Sequence, residues 1–148
     1  MPLAYRGQPP DRPLVAMLVD DHAISLEPMC EFIKDFGMSV LRAASYVEAE
    51  LLFLHIEGKL DLLITDVELG DGLGTELARS FLRKAPALKV LIISGGLGLD
   101  LITAAGVEEF AFLRKPFKRA ELIRKVDSLL RNGAPCASSS FHEDCDAD

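Results

Sequence analysis

The segment Asp61-Leu62-Leu63-Ile64-Thr65-Asp66-Val67-Glu68-Leu69-Gly70-Asp71-Gly72 decides how the chain reads. Leu62 to Thr65 is a largely apolar run of strand length that stops at Asp66, and a loop rich in glycine and acid follows. A short continuous run bounded by turn residues is the pattern of a strand buried on both faces. Asp66 is then a carboxylate held at the end of a buried strand. One such carboxylate is common. Its meaning depends on what the other strands bring beside it.

The same pattern recurs outward in both directions. Leu14 to Val19 is apolar and ends at Asp20-Asp21-His22, Met38 to Ala43 reads as a short second strand, and Leu88 to Ile93 ends at Ser94-Gly95-Gly96. Phe110 to Arg114 is a fifth strand ending at Lys115-Pro116. Helical patterns lie between them. Met29, Phe32, Ile33 and Phe36 follow the i, i+3, i+4, i+7 spacing. Pro28 fits a first turn, which makes Ser25 the candidate N-cap, and Gly37 closes the helix. Ser45 and Glu48 form a capping box that opens a second helix, with Val47, Leu51 and Leu54 as its apolar face and Gly58 as its end. A third helix is expected over 74–84, with Leu77 and Phe81 inward and Pro86 as the stop. A fourth, within 97–105, is weakened by Gly95, Gly96 and Gly98, because a glycine inside a helix costs about 1 kcal/mol relative to alanine. A fifth runs over about 118–131, with Leu122, Ile123, Val126, Leu129 and Leu130 on one face.

Five alternations of strand and helix argue for an α/β fold, a doubly wound parallel sheet with helices on both faces. Open sheets of this kind bind ligands beyond the C-terminal ends of their strands. The 148 residues suit one domain. Residues 1–12 hold three prolines and read as an arm, 13–131 as the folded unit, and 132–148 as a disordered acidic tail. The net charge of −7 disfavours direct nucleic-acid binding. No apolar run approaches membrane-spanning length and no signal segment opens the chain, so the expected compartment is the cytoplasm. Three cysteines do not read as a disulfide framework. Cys30 falls in an apolar helical pattern and reads as a buried free thiol. Cys136, His142 and Cys145 could meet one metal in principle, but no strand or helix pattern flanks them and disorder is the better reading.

The chemistry lies at the strand ends. Parallel strands carry Asp20 and Asp21, Asp66, Ser94 and Lys115 to one edge. Three converging carboxylates need a cation or a shared proton. Oxygen ligands favour a hard divalent ion, most simply Mg²⁺. Lys115 supplies a compact positive charge and Ser94 a hydrogen-bond donor. Together they make an anion site with a nucleophilic carboxylate in its middle, which attack of Asp66 on a phosphoryl group requires. His22 reads as a loop residue beside the acids, with a ligand role as the lesser reading. The basic residues Lys118, Arg119, Arg124, Lys125 and Arg131 read as a solvated face or a docking surface for an acidic partner.

At these residues the chain resembles response-regulator receiver domains. Asp20-Asp21, Asp66, Ser94 and Lys115-Pro116-Phe117 match the family's acid pair, phosphoacceptor, hydroxyl and Lys-Pro motif in order, over about 14–131. The resemblance implies a flavodoxin-like (βα)5 three-layer sandwich with strand order 2-1-3-4-5, here with a weak or shortened fourth helix. It implies phosphorylation of Asp66 and Mg²⁺ (or Mn²⁺) bound by Asp21, Asp66 and the backbone carbonyl of Glu68, with Asp20 acting mainly through water. It implies that Ser94 and Lys115 hold phosphoryl oxygens, that Ser94 and Phe112 act as switch residues, and that Lys115–Pro116 is cis. The implied phosphodonor is a histidine kinase or histidine phosphotransfer protein, and the output passes to a downstream protein by a monomer or weak dimer.

Several positions depart from the family's commoner residues. Phe112 stands for tyrosine and loses its hydroxyl. Glu68 places a carboxylate near the phosphoryl group and is expected to tune the lifetime of phospho-Asp66. Gly70 and Asp71-Gly72 stand where a proline is frequent. Val107-Glu108-Glu109 reads as an insertion before the fifth strand. The short tail after Arg131 leads to the expectation of a single-domain receiver that catalyses only its own phosphorylation and dephosphorylation. The alternatives are a receiver-like binding module without phosphate cycling, or a phosphatase acting in trans. The acid set and lysine count against the first, and the lack of a cap domain against the second.

Overall fold

The computed structural model describes residues 13–95 and 110–132. The chain runs β1 (Val15–Val19), α1 (Ala23–Phe36), β2 (Ser39–Ala43), α2 (Tyr46–His55), β3 (Leu62–Asp66), β4 (Glu68–Leu69), β5 (Gly72–Leu73), α3 (Gly74–Lys84), β6 (Lys89–Ser94), β7 (Ala111–Arg114) and α4 (Arg119–Asn132). Five strands form one parallel sheet of order β2-β1-β3-β6-β7, and β4 and β5 form a separate antiparallel ribbon. Leaving the ribbon out of the count, the order is 2-1-3-4-5. This is the flavodoxin-like doubly wound arrangement that the sequence suggests.

The continuous apolar strands are explained by two cores, one on each face of the sheet. Met17, Val19, Leu63 and Ile92 pack with Phe53 of α2 and Leu77 and Phe81 of α3. Ala16, Leu18, Ile64, Leu91 and Ile93 pack with Cys30 and Ile33 of α1 and Leu122 and Val126 of α4. Adjacent residues of the central strands β1, β3 and β6 alternate between the two cores, so those strands leave no face to solvent. Each fully buried Leu, Ile or Phe contributes about 1.5–3 kcal/mol by removal from water. Burial also pushes the Cys30 thiol above its usual pKa, as befits an unreactive core residue.

Two helix details correct the sequence reading. The first helix begins at Ala23 with His22 as its N-cap, not at a Ser25 cap, and Pro28 lies inside it. The Ser25 and Leu26 amides both donate to the His22 carbonyl, so the helical turn is already formed before the proline. Gly37 closes α1 in the left-handed conformation (φ 114°), where a residue with a Cβ is strained. The second correction is the buried face of α2. Val47, Leu51 and Leu54 are 54%, 61% and 61% exposed, while Ala49 and Phe53 are buried. Phe53 stacks on Phe81 with ring centroids 3.9 Å apart. Leu52, Ile56 and Tyr46 complete that contact. The helix is apolar on most sides, so periodicity alone does not choose a face. The stack on α3 chooses it.

The Ser45 cap is present, with Glu48 reaching back to Ala44, one residue before the N-cap amide. Ser45 Oγ accepts from the Glu48 amide at 3.0 Å, and Glu48 Oε1 accepts from the Ala44 amide at 2.8 Å. The expected arm (1–12), fourth helix (97–105), insertion (107–109), and tail with Cys136, His142 and Cys145 lie outside the described residues. No described helix is long and apolar enough to cross a membrane.

Candidate functional site

The strand register carries the chemistry to one edge. In the parallel pairing, Val19 aligns with Thr65, Asp66 with Ile93, and Ser94 with Arg114. The residues that follow β1 and β7, and those that end β3 and β6, therefore meet above the same part of the sheet.

Asp20 is 1% exposed. Such a carboxylate needs compensation, because desolvating an unpaired charge costs several kcal/mol. Lys115 Nζ supplies it by donating to Asp20 Oδ2 at 3.2 Å, and the His22 amide donates to Asp20 Oδ1 at 2.9 Å. The same ammonium lies 3.6 Å from Asp66 Oδ2. Asp66 Oδ1 accepts from the Val67 amide at 2.8 Å. Burial raises the Asp66 pKa above its ordinary value. Asp20 and Asp21 push it the same way, while Lys115 and the Val67 amide oppose them. Asp21 is exposed and its Oδ2 accepts from the Gly70 amide at 3.1 Å, which ties the loop after Asp66 to the acid pair. Asp21, Asp66 and Lys115 line a cleft of about 420 Å³ together with His22 and the exposed Glu68, and Asp20 lies buried behind it.

Three local features hold this geometry. Lys115 follows β7 directly, its amide donates to the Ser94 carbonyl at 2.7 Å, and the Lys115–Pro116 bond is cis as expected. Gly74 opens α3 so close to β3 that a Cβ there would lie 1.9 Å from the Asp66 carbonyl oxygen. Its amide donates to the Val67 carbonyl at 2.7 Å. Ser94 is buried, and its hydroxyl has no hydrogen-bond partner among the described residues. A buried hydroxyl in that state has a donor to spare for a ligand. Phe112 sits on β7, 37% exposed, on the strand face opposite Ala111 and Leu113, which pack into the α1/α4 core.

Sequence reading missed Asp71. Its two carboxylate oxygens accept from the Tyr46 and Val47 amides at 2.8 and 3.2 Å, so it caps α2 from across the fold. Those amides, Tyr46 first, lower its pKa. No local signal marks a cap donated from 25 residues away. His22 lies closer to the acid pair than a loop position implies. Its Nδ1 lies 3.1 Å from Asp21 Oδ1 and 3.4 Å from Asp20 Oδ1.

The donor set suits a divalent cation. Asp20, Asp21, His22 and Asp66 each offer a ligand atom, all within 4.8 Å of one another. Carboxylate oxygens at this spacing fit a hard ion such as Mg²⁺ or Mn²⁺, with room for the waters such ions retain.

Comparison with known proteins agrees with this arrangement. The family model of the response regulator receiver domain matches residues 16–127, and the chain belongs to that family. Receiver domains are signalling modules of two-component systems. They take phosphoryl groups from histidine kinases and bind Mg²⁺ at an acidic pocket. The transcriptional regulatory protein GlrR of Escherichia coli is 29% identical over 133 residues, which cover 89% of this chain and 30% of that protein. The sensor kinase CckA of Brucella abortus is 28% identical over 120 residues, 78% of this chain and 12% of the kinase. The chain thus spans 30% or less of the length of these curated relatives. Among solved structures, a response regulator receiver protein from Sinorhizobium medicae superposes with a TM-score of 0.72 at 29% identity, covering 81% of this chain and 96% of that one. The chemotaxis protein CheY4 of Vibrio cholerae shares the fold, with a TM-score of 0.67 at 20% identity over 80% of this chain and 100% of that one.

Proposed function

We propose that this chain accepts a phosphoryl group on Asp66 from a phosphohistidine of a histidine kinase or phosphotransfer protein, in a Mg²⁺- or Mn²⁺-dependent reaction, and signals through changed protein contacts. The observation that carries this reading is the Asp66 carboxylate lining a cleft, with the Lys115 ammonium 3.6 Å from it and 3.2 Å from the buried Asp20. Ionised Asp66 attacks phosphorus, the P–N bond to imidazole breaks, and the imidazole leaves. Lys115, at 3.6 Å from Asp66, is placed to take a phosphoryl oxygen. Ser94 has its hydroxyl free to donate to another. Asp21, Asp66 and the Glu68 carbonyl are the residues that would hold the divalent ion, with Asp20 acting through water. When bound, that ion neutralises charge on the phosphoryl oxygens.

The receiver unit spans 13–131 in this reading, and the protein acts in the cytoplasm as a monomer or weak dimer. It does not bind nucleic acid through this unit. Ser94 and Phe112 would carry the switch. Glu68, exposed beside the cleft, would tune the lifetime of the aspartyl phosphate. Glu68→Asn is expected to change the dephosphorylation rate, and an identical rate would remove that role. The reading as a whole is tested by incubation with acetyl phosphate with and without Mg²⁺. Intact-mass analysis should find one added phosphoryl group that needs Mg²⁺ and is absent in Asp66→Asn. Equal labelling of Asp66→Asn would refute Asp66 as the acceptor.

A further inference from the structure

We infer that His22 is a nitrogen ligand of the divalent-cation site and shifts its preference from Mg²⁺ toward borderline first-row ions such as Ni²⁺. This rests on the receiver reading, since it concerns the same cleft. The carboxylates alone are a hard, oxygen-only set, and an imidazole among them changes what the site prefers.

The geometry is the first support. Metal–oxygen and metal–nitrogen bonds near 2.1 Å place neighbouring ligand atoms of an octahedral ion roughly 3.0 Å apart and opposite ones roughly 4.2 Å apart. His22 Nδ1 stands 3.1 Å from Asp21 Oδ1 and 3.4 Å from Asp20 Oδ1. Its ligand atom and that of Asp66 belong to a set lying within 4.8 Å overall. The 3.1 Å spacing from Asp21 approximates adjacent corners of one coordination shell, so His22 can join Asp21 there by a small side-chain shift, with Asp20 still acting through water.

The second support is that the contacts given for the imidazole are with Asp20 and Asp21, members of the acid set itself, and none is a helix cap. His22 is the N-cap of α1, yet its side chain makes no capping hydrogen bond. Its backbone is fixed, with the amide held by Asp20 and the carbonyl by Ser25 and Leu26. The imidazole is 70% exposed on the cleft wall. A fixed backbone and an imidazole beside the acid pair make a pre-positioned ligand. Lys115 approaches Asp20 through the other carboxylate oxygen, Oδ2, which leaves Oδ1 facing His22.

The test uses the full chain, with His22→Ala as the variant. Mn²⁺ is added and nitrogen hyperfine coupling is read by electron spin echo modulation. Dissociation constants for Mg²⁺ and Ni²⁺ are measured by calorimetry. His22→Ala should lose the nitrogen coupling and should weaken Ni²⁺ by about tenfold or more, the scale that even outer partners of metal ligands reach. Mg²⁺ should lose less affinity than Ni²⁺ does, because a hard ion gains less from a nitrogen ligand. Mg²⁺ binding and labelling with no His22-dependent nitrogen coupling or Ni²⁺ loss would overturn the ligand role and leave the receiver reading intact. No divalent-ion binding and no labelling in wild type would overturn the receiver reading, and the ligand role with it.

Discussion

Gly74→Ala should be among the most damaging single-methyl additions in the protein. A Cβ at Gly74 would lie 1.9 Å from the Asp66 carbonyl oxygen and 2.6 Å from Thr65 Oγ1. Real Cβ contacts essentially never fall below 3.0 Å, so more than 1 Å of separation must be found. The nearest atom is backbone in a central strand, which cannot swing aside as a side-chain tip can. Overpacking of this sort costs about 1–3 kcal/mol, with backbone clashes at the upper end. Displacing α3 also loosens the 2.7 Å hydrogen bond from the Gly74 amide to the Val67 carbonyl, worth about 1 kcal/mol. The reduced freedom of the unfolded alanine chain returns about 0.4–1 kcal/mol. The net destabilisation is about 3 kcal/mol, a Tm drop of about 10 °C for a domain of this size. Because the displaced carbonyl belongs to Asp66, the rate of labelling by acetyl phosphate should also fall. Gly72→Ala is the control. Its Cβ would come within 2.7 Å of the Tyr46 ring, so a side chain must shift there where backbone must shift at Gly74, and the cost should be the smaller of the two. Urea unfolding of the two variants reads both values. A Gly74→Ala protein within about 1 kcal/mol of wild type would refute the close approach of α3 to β3 on which the site's geometry depends.

Lys115→Met removes the ammonium that Asp20 faces at 3.2 Å and leaves that carboxylate buried without it. Breaking a buried pair costs about 3–5 kcal/mol, and the partial exposure of Lys115 lowers the expectation to about 2 kcal/mol, measured by urea unfolding in EDTA. Added Mg²⁺ should restore part of it, and a lack of rescue would argue against a cation at this site. Asp66→Asn should stabilise the metal-free protein at neutral pH. The folded pKa of Asp66 is raised, so its ionised form costs stability above that pKa, and the cost disappears as pH falls through it. The gain of Asp66→Asn over wild type should therefore shrink on acidification toward the unfolded carboxylate value, and a gain that grows in acid would contradict the sign. Leu51→Glu, on the exposed face of α2, should change stability by less than about 0.5 kcal/mol. Phe53→Ala, which empties the stack on Phe81, should cost about 3–5 kcal/mol in the same unfolding assay.

Much of this molecule is legible from local pattern because doubly wound folds make local pattern informative. Strands covered on both faces must be apolar throughout, so β1, β3 and β6 stand out, and each ends at a polar residue that the shared edge gathers. Asp20, Asp21, Asp66, Ser94 and Lys115 could be placed together on that ground before any contact was known. Tertiary choice among equally good local options could not be read. The second helix offers two apolar faces, and the stack of Phe53 on Phe81, set by the position of α3, selects the one that sequence did not. The first helix offers a cap at Ser25, yet the His22 carbonyl starts the turn earlier and leaves Pro28 inside. Asp71 is the clearest case of a hidden role. Its cap on α2 joins the loop after Asp66 to a helix 25 residues upstream, and only the folded chain brings them together.

In this reading Asp66 itself carries the phosphoryl group. The most direct test is chemical trapping. The protein is treated with acetyl phosphate and Mg²⁺, reduced with borohydride, and digested for peptide sequencing by mass spectrometry. Borohydride converts an aspartyl phosphate to homoserine and leaves a free aspartate unchanged. Homoserine is expected at position 66 only in the treated sample. Aspartate retained at 66, with homoserine at 20 or 21 in its place, would contradict it.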